Sequence, residues 1–276
     1  MKNDPASIDL AGLIDRYEVF FIDQFGVLRD DEKAYEGAVD ALETLKKAGK
    51  TIVILSNSGR SGEHNVKRLA PLGFAPSSFD HFVTSGDVAY AMLAGSATSG
   101  KCFTISSGGD TDLADRLGME SVESSVDADI VIISGSESER IAMDDYREML
   151  RPAAENNRPC FCTNPDLLKL SKGTVAPGAG AIADLYEELG GSVTRIGKPF
   201  AGIYEYALQL CGIADKASVI CIGDSIDHDI AGAANAGLQS VLVETGILSD
   251  KNAEERNALM AEIDVWPTFI MKQFRA

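Results

Sequence analysis

Residues 19–38 read VFFIDQFGVLRDDEKAYEGA. The apolar run from Val19 to Ile22 is continuous, which is typical of a parallel strand that is buried on both faces. The run ends at Asp23, a glycine follows at Gly26, and a helix-like segment starts near the end of the quoted stretch. This order predicts a buried strand that carries a carboxylate to the edge of an α/β sheet, followed by a helix that returns along the sheet.

The alternation of apolar strands and amphipathic helices continues along the chain. Val39, Leu42 and Leu45 are spaced as on one helical face, and this helix is expected to stop at Gly49. Two further continuous apolar runs, TIVIL at 51–55 and SVICI at 218–222, indicate buried strands. The pattern predicts an α/β protein with a doubly wound parallel sheet.

A helix is predicted over residues 7–17, with Ser7 as its N-cap.

The ends and the middle of the chain differ in composition. From about residue 95 the sequence becomes rich in Gly and Ser, and the buried pattern resumes near residue 193. We therefore predict a core domain formed by residues 1–85 and 183–276, with an α/β domain inserted at 86–182.

The charge and cysteine content limit the class of partner. The 276-residue chain carries 42 acidic and 25 basic residues, a net charge of −17, and its field opposes binding to nucleic acid or to an anionic membrane. A small anionic substrate held by local cations is still compatible with that charge. The five cysteines form no CxxC pair, and the first residues do not resemble a signal peptide. We expect a cytoplasmic protein with reduced thiols.

Reactive residues follow three of the predicted strands. Asp23 ends the first strand, Ser56 and Asn57 end the second, and Asp224 follows SVICIG. The segment IGKP supplies Lys198 between the second and third of these strands. Because ligands bind beyond the carboxyl ends of the strands in an open parallel sheet, we expect these residues to meet at one edge.

This set of residue types suits a phosphoryl group. Ser56 and Lys198 can hold phosphate oxygens, while the clustered carboxylates repel each other and the phosphate. A Mg²⁺ ion relieves both repulsions because it prefers oxygen ligands and shares them with substrate phosphate. A carboxylate such as Asp23 can also attack phosphorus and form an aspartyl-phosphate.

In their order, these motifs resemble those of the haloacid dehalogenase-like (HAD) hydrolase superfamily. FFIDQFGVL is similar to its first motif, VILSNS to the second, GKP to the third and IGDSIDHDIAGAANAG to the fourth. The long insertion resembles the large α/β cap of the p-nitrophenylphosphatase and NagD-like nucleotide and sugar phosphatases. The resemblance implies a Rossmann-like core whose cap closes over the strand tips.

The resemblance also implies residue roles. Asp23 is the expected nucleophile, and Ser56, Asn57 and Lys198 are expected to bind the phosphate of a small phosphorylated metabolite. Asp227 is expected to support the site from outside the ligand set. The expected Mg²⁺ ligands are Asp23, the main-chain carbonyl of Phe25, Asp224 and, in support, Asp229. Caps of this kind often carry dimer contacts, so a homodimer is compatible with the resemblance.

Phe25 departs from the phosphatase pattern. The position two residues after the nucleophile is normally a second aspartate, which protonates the leaving oxygen and then activates water. Phe25 can do neither, and the lost proton transfer is worth about 10²–10⁴-fold in rate. We therefore expect a slow or atypical phosphatase that turns over aryl phosphates better than alkyl phosphates.

Two other functions are compatible with Phe25. An aromatic residue at this position also resembles the 2-haloacid dehalogenases of the same superfamily, in which the halide leaves without a proton. Asp224 and Asp229 argue against that interpretation, since a metal-free dehalogenase has little use for a carboxylate cluster. A non-catalytic protein that binds a phosphorylated metabolite is the third interpretation.

Overall fold

In the computed structural model, which describes residues 5–30, 32–95, 100–171 and 174–276, the chain divides into two compact units. The first unit comprises Met1–Ser56, Glu63–Val83 and Lys198–Ala276. The second unit comprises Asn57–Gly62 and Thr84–Gly197. Each unit contains its own sheet and its own hydrophobic core.

The first unit is built on a seven-stranded sheet. In spatial order its strands are Ala6–Ser7, Phe269–Met271, Gln239–Val243, Val219–Gly223, Val19–Asp23, Thr51–Ser56 and His81–Thr84. The two neighbours of Val19–Asp23 run parallel to it, with Cys221 and Val53 opposite Phe21. The predicted parallel α/β sheet is thereby confirmed.

Helices of the first unit follow the predicted alternation with the strands. Their bounds are Leu10–Ile14, Ala38–Lys47, Gly62–Leu69, Ala201–Leu210, Ala231–Asn235 and Ala253–Glu262, and a single π-helical turn spans Ile226–Ile230. In Ala38–Lys47 the side chains of Leu42 and Leu45 are fully buried, as their spacing predicted. Gly49, with a φ of 75°, lies two residues beyond the end of that helix.

The first helix is shorter than predicted. It spans Leu10–Ile14, and its N-cap is Asp9, whose carboxylate accepts a hydrogen bond from the backbone N–H of Gly12 at 2.8 Å. Ser7 instead lies in the edge strand, opposite Ile270. The prediction of Ser7 as N-cap was wrong because strand pairing with a segment far along the chain extends the backbone at Ser7.

The second unit contains a five-stranded parallel sheet. Its strands, in spatial order, are Val193–Arg195, Cys160–Cys162, Ile130–Ile133, Lys101–Ile105 and Glu120–Ser121. Leu168–Ser171 and Thr174–Pro177 form an antiparallel pair. The helices are Ser85–Leu93, Asp112–Arg116, Met143–Glu155 and Ala179–Glu188.

The unit boundaries differ from the domain boundaries expected at 85/86 and 182/183. The second unit extends to Gly197 because Val193–Arg195 pairs with Cys160–Cys162 and so belongs to the sheet of that unit. Asn57–Gly62 also belongs to the second unit, although it directly follows a strand of the first.

Strand order locates the functional edge of the first sheet. From Val19–Asp23 the chain proceeds to Thr51–Ser56 on one side, whereas Val219–Gly223 and Gln239–Val243 lie on the other. The order of strands therefore reverses between Val19–Asp23 and Val219–Gly223. Such a switch point leaves a crevice beyond the carboxyl ends of the two strands, where open α/β sheets bind ligands.

Candidate active site

Three carboxylates meet at the switch point. Asp23 ends its strand, Asp224 follows Val219–Gly223, and Asp229 lies in the π-helical turn Ile226–Ile230. One carboxylate oxygen from each residue lies within 4.8 Å of the other two, and all three residues are buried. Asp23, Asp224 and Asp229 are hereafter called the carboxylate cluster.

Burial and mutual repulsion disfavour the charged forms of this cluster. Burial raises the pKa of Asp23 well above its usual range, and the neighbouring Asp229 and Asp224 raise it further despite the opposing charge of Lys198. Burial likewise raises the pKa of Asp224 to about 7, with a further contribution from Asp229. The cluster is therefore electrostatically suited to a cation.

Lys198 places a positive charge beside the carboxylate cluster. Its Nζ donates to Asp23 Oδ1 at 2.5 Å and to Asp229 Oδ1 at 2.6 Å, and its side chain is buried. Burial alone would lower the pKa of Lys198, but the charges of Asp229 and Asp23 outweigh it and raise that pKa. The ammonium thus remains protonated and links two of the three carboxylates.

Asp229 also organises the loop that carries Asp224. Its Oδ2 accepts the backbone N–H of Asp224 at 3.2 Å and that of Ser225 at 3.1 Å. Ser225 caps the π-helical turn by accepting the backbone N–H of His228. Since both oxygens of Asp229 already accept hydrogen bonds, this residue holds Lys198 and the Asp224 loop in place.

Two glycines allow close packing around Asp224. A Cβ at Gly26 would lie 2.0 Å from Asp224 Oδ2, and a Cβ at Gly246 would lie 1.9 Å from the same atom. The Gly246 loop also donates the backbone N–H of Ile247 to Asp224 Oδ2 at 2.7 Å. Thr245 Oγ1 donates to the carbonyl of Gly26 at 2.5 Å, which ties the two loops together.

Ser56 lies at the end of the neighbouring strand. Asp23 is opposite Leu55 in the sheet, so Ser56 is one residue beyond this pair. The Ser56 hydroxyl is buried and donates to Gln24 Oε1 at 3.2 Å. The structure therefore brings Asp23, Ser56, Lys198, Asp224 and Asp229 to one edge of one sheet.

Phe25 is partly exposed and packs against Arg29. Its ring is 39% exposed, and the guanidinium carbon of Arg29 lies 4.8 Å from the ring centroid. The backbone N–H of Gly26 donates to the carbonyl of Arg29 at 2.9 Å, which closes the loop between them. No carboxyl is therefore supplied at the position where the phosphatase pattern has its second aspartate.

Two other predicted residues have different surroundings. Asn57 belongs to the second unit, where its side-chain amide donates to Asp166 at 2.9 Å. Asp227 accepts a hydrogen bond from Ser225 Oγ at 2.5 Å and lies 3.4 Å from His228 Nδ1. Although burial opposes it, the His228 and Ser225 contacts lower the pKa of Asp227.

Sequence reasoning missed several residues that shape this site. Gln24, Gly246 and Ile247 each contact a predicted site residue. The position of Gln24, directly after the last residue of a buried strand, was a usable signal, because a buried polar residue there needs a hydrogen-bond partner. The Gly246 loop carried no such signal, because Ile247 lies 23 residues beyond Asp224 along the chain and no sequence motif marks the contact between them.

 

Among the residues that the structure describes, no helix is long and apolar enough to cross a membrane.

Comparison with family models identifies two matching regions. Residues 20–120 match a model described as haloacid dehalogenase-like hydrolase, and residues 195–276 match a second, HAD-hydrolase-like model. The two regions contain Asp23 and Ser56 in the first, and Lys198, Asp224 and Asp229 in the second.

Similar proteins cover nearly the whole chain. The sugar-phosphatase AraL of Bacillus subtilis is 29% identical over 237 residues, which cover 85% of each chain. The 4-nitrophenylphosphatase of Schizosaccharomyces pombe is 25% identical over 272 residues, and 89% of each chain is covered.

Solved structures show the same fold. A haloacid dehalogenase-like hydrolase from Brucella suis is 31% identical, with a TM-score of 0.82 over 96% of this chain and 98% of that one. A glycerol phosphate phosphatase from Mycobacterium tuberculosis, solved in complex with magnesium, is 25% identical, with a TM-score of 0.76 over 95% of this chain and 77% of that one. The chain belongs to the haloacid dehalogenase-like hydrolase family.

Proposed function

We propose that this protein is a Mg²⁺-dependent phosphatase that hydrolyses a small phosphate monoester through an aspartyl-phosphate on Asp23. The observation that carries the proposal is the carboxylate cluster at the switch point, with Lys198 bridging Asp23 and Asp229. The names of the relatives, sugar phosphatase and 4-nitrophenylphosphatase, support the same reaction class.

The donor set fits a divalent cation. Asp23 and Asp224 offer carboxylate oxygens within 4.8 Å of each other, and the main-chain carbonyl of Phe25 follows Asp23 in the same loop. Asp229 supports the set by holding the Asp224 loop. When bound, Mg²⁺ would neutralise negative charge on the carboxylates and on the phosphate of the substrate.

The reaction takes place in two displacements at phosphorus. A carboxylate oxygen of Asp23 forms a bond to phosphorus as the bond between phosphorus and the leaving oxygen breaks, and the leaving oxygen takes a proton from water. Water then attacks the aspartyl-phosphate, the bond from phosphorus to Asp23 breaks, and phosphate is released with the carboxylate restored.

The neighbouring polar groups hold the phosphate. Lys198 lies against Asp23 Oδ1, so its ammonium can balance the charge of a phosphoryl group placed on Asp23. Ser56 can donate its hydroxyl proton to a phosphate oxygen, and Asn57 follows it in the chain. The substrate is a small phosphorylated metabolite in this proposal; a homodimer and a cytoplasmic location stay predictions.

The proposal is tested by measuring which bond the protein breaks. We expect Mg²⁺-dependent release of phosphate from p-nitrophenyl phosphate, and no chloride release from 2-chloropropionate. Asp23→Asn should abolish phosphate release, whereas the control Asp250→Asn, at a side chain that is 78% exposed, should leave it unchanged. Chloride release would favour a dehalogenase, and phosphate binding without turnover would favour a binding protein.

A further inference from the structure

A buried amide lies beside the proposed nucleophile. Gln24 directly follows Asp23, and its side chain is 1% exposed. Its Oε1 accepts the Ser56 hydroxyl at 3.2 Å, whereas its Nε2 is buried and has no hydrogen-bond partner among the described residues. A buried donor without a partner costs about 1–3 kcal/mol, so an amide at this position calls for an explanation.

The sheet builds the contact between Gln24 and Ser56. Asp23 lies opposite Leu55 in the parallel pair, and Gln24 and Ser56 are the next residues along the two strands. An apolar side chain would fill the same buried space without leaving a donor unsatisfied. The amide therefore acts through the hydroxyl that it contacts.

The direction of this hydrogen bond matters for a phosphate. The Ser56 hydroxyl has one proton, and while it donates that proton to Gln24 it presents only lone pairs to a ligand. Lone pairs repel phosphate oxygens. Rotation of the terminal amide by about 180° exchanges its oxygen and nitrogen, so that Nε2 donates to Ser56 and the hydroxyl proton is released for the ligand.

We propose that Gln24 is a positioning residue that sets the direction in which the Ser56 hydroxyl donates. Its amide accepts from Ser56 in the phosphate-free protein and donates to Ser56 when phosphate is bound. Each arrangement leaves one amide atom without a partner, so the two lie close in free energy and the ligand selects the second. The inference deepens the proposed function and rests on it.

The test is a double-mutant cycle on phosphate binding. The dissociation constant of inorganic phosphate is measured by calorimetry with Mg²⁺ present, for the wild type, Gln24→Met, Ser56→Ala and the double variant. We expect Gln24→Met to weaken binding about three- to tenfold, because the hydrogen bond that Gln24 donates in the bound state belongs to a chain ending on a charged phosphate and is stronger than the bond that it replaces. In the Ser56→Ala background the same change should have no effect, because the hydroxyl through which Gln24 acts is gone.

Controls separate this role from packing. Gln239→Met removes another amide of the first unit, one that accepts the Tyr17 hydroxyl at the start of its strand, and should leave phosphate binding unchanged. Gln24→Leu serves as a second apolar variant, and urea unfolding reports whether each variant is folded.

The outcomes distinguish the two proposals. Equal losses in both backgrounds, or no loss in either, would overturn the role of Gln24 while phosphate release by the wild type leaves the proposed function standing. A wild-type protein that neither binds phosphate nor hydrolyses p-nitrophenyl phosphate would overturn both.

Discussion

Charge at the site is unbalanced at the scale of single residues. Asp23, Asp224 and Asp229 carry three negative charges when ionised, and they share the positive charge of Lys198. Because the site is buried, water screens these charges poorly and the repulsion persists. The excess negative charge favours protonation of a carboxyl or binding of a cation, and two predictions test the residues involved.

Ionisation of the buried Asp224 carboxyl should lower the free energy of unfolding of the metal-free protein as pH rises. Its pKa is raised from 3.8 to about 7 in the folded state, so between these pH values the folded protein binds more protons than the unfolded chain. Stability then falls as pH rises through this window. Asp224→Asn should therefore be more stable than the wild type at pH 8, by on the order of a few kcal/mol, with a smaller difference at pH 5.

Urea unfolding with a chelator present measures this difference. Asp250→Asn is the control, because its exposed side chain should give no comparable pH dependence. Addition of Mg²⁺ should stabilise the wild type more than Asp224→Asn, since binding to the folded state adds to stability. A difference that stays constant between pH 5 and pH 8 would contradict the raised pKa.

Phe25→Asp should increase turnover of alkyl phosphates. The new carboxyl supplies the proton that the leaving oxygen otherwise takes from water, a contribution of about 10²–10⁴-fold where the group is well placed. Arg29 lies against the Phe25 ring and would lower the pKa of a carboxyl there, so we expect a gain near the lower end of that range.

The measurement compares kcat for an alkyl phosphate and an aryl phosphate. Aryl phosphate turnover should change less, because a phenolate leaves without protonation more readily. Phe25→Asn is the matched control, since it changes size and polarity without adding an acid. Equal gains for Phe25→Asn would show that removal of the ring, and not proton transfer, is responsible.

At the scale of elements, the loop that contains Gly246 determines the space around Asp224. Gly246 has a φ of +65°, and a Cβ there would lie 1.9 Å from Asp224 Oδ2 and 2.5 Å from the Cα of Gly26. Gly237 has a similar φ of +69° with no atom within 4 Å of its Cβ position. The two glycines therefore separate backbone strain from displacement of the carboxylate.

Gly246→Ala should weaken Mg²⁺ binding about tenfold or more, because the methyl group would displace the Asp224 carboxylate. Gly237→Ala should leave Mg²⁺ binding unchanged and cost only the backbone strain, about 1–2 kcal/mol. Calorimetric titration with Mg²⁺ and urea unfolding measure the two effects. Similar Mg²⁺ affinities for both variants would contradict the close packing around Asp224.

At the scale of the whole molecule, the net charge of −17 should give opposite salt dependences for the two ligands. The long-range field attracts Mg²⁺ and repels a phosphate monoester, and salt screens it over about 10 Å at 0.1 M. Between 10 and 200 mM KCl, the affinity for Mg²⁺ should fall. At saturating Mg²⁺, the KM for p-nitrophenyl phosphate should decrease over the same range. The apparent affinity for the substrate thus rises, because salt weakens the repulsion of the substrate.

The two titrations control for each other. A general effect of salt on the folded state would change both affinities in the same direction, and that result would contradict the prediction. The buried Lys198 should contribute little to the salt dependence, because a buried ion pair is screened less than an exposed one.

Much of the fold was readable because its signals are local. A continuous apolar run such as that from Val19 to Ile22 indicates a buried parallel strand from a few residues alone, and the parallel sheet is confirmed. The helix at the start of the chain was predicted less well, since pairing of Ser7 with Ile270 depends on a strand at the other end of the sequence.

The α/β alternation and the polar residues that end the strands could be predicted without the structure, because each follows from neighbouring residues along the chain. Which of those residues contact one another depends on the folded structure. Lys198 and Asp23, 175 positions apart, form an ion pair, Ile247 donates to Asp224, and Ser56 donates to Gln24. Such contacts depend on strand register and loop packing, which bring distant segments together without a motif that marks the pair.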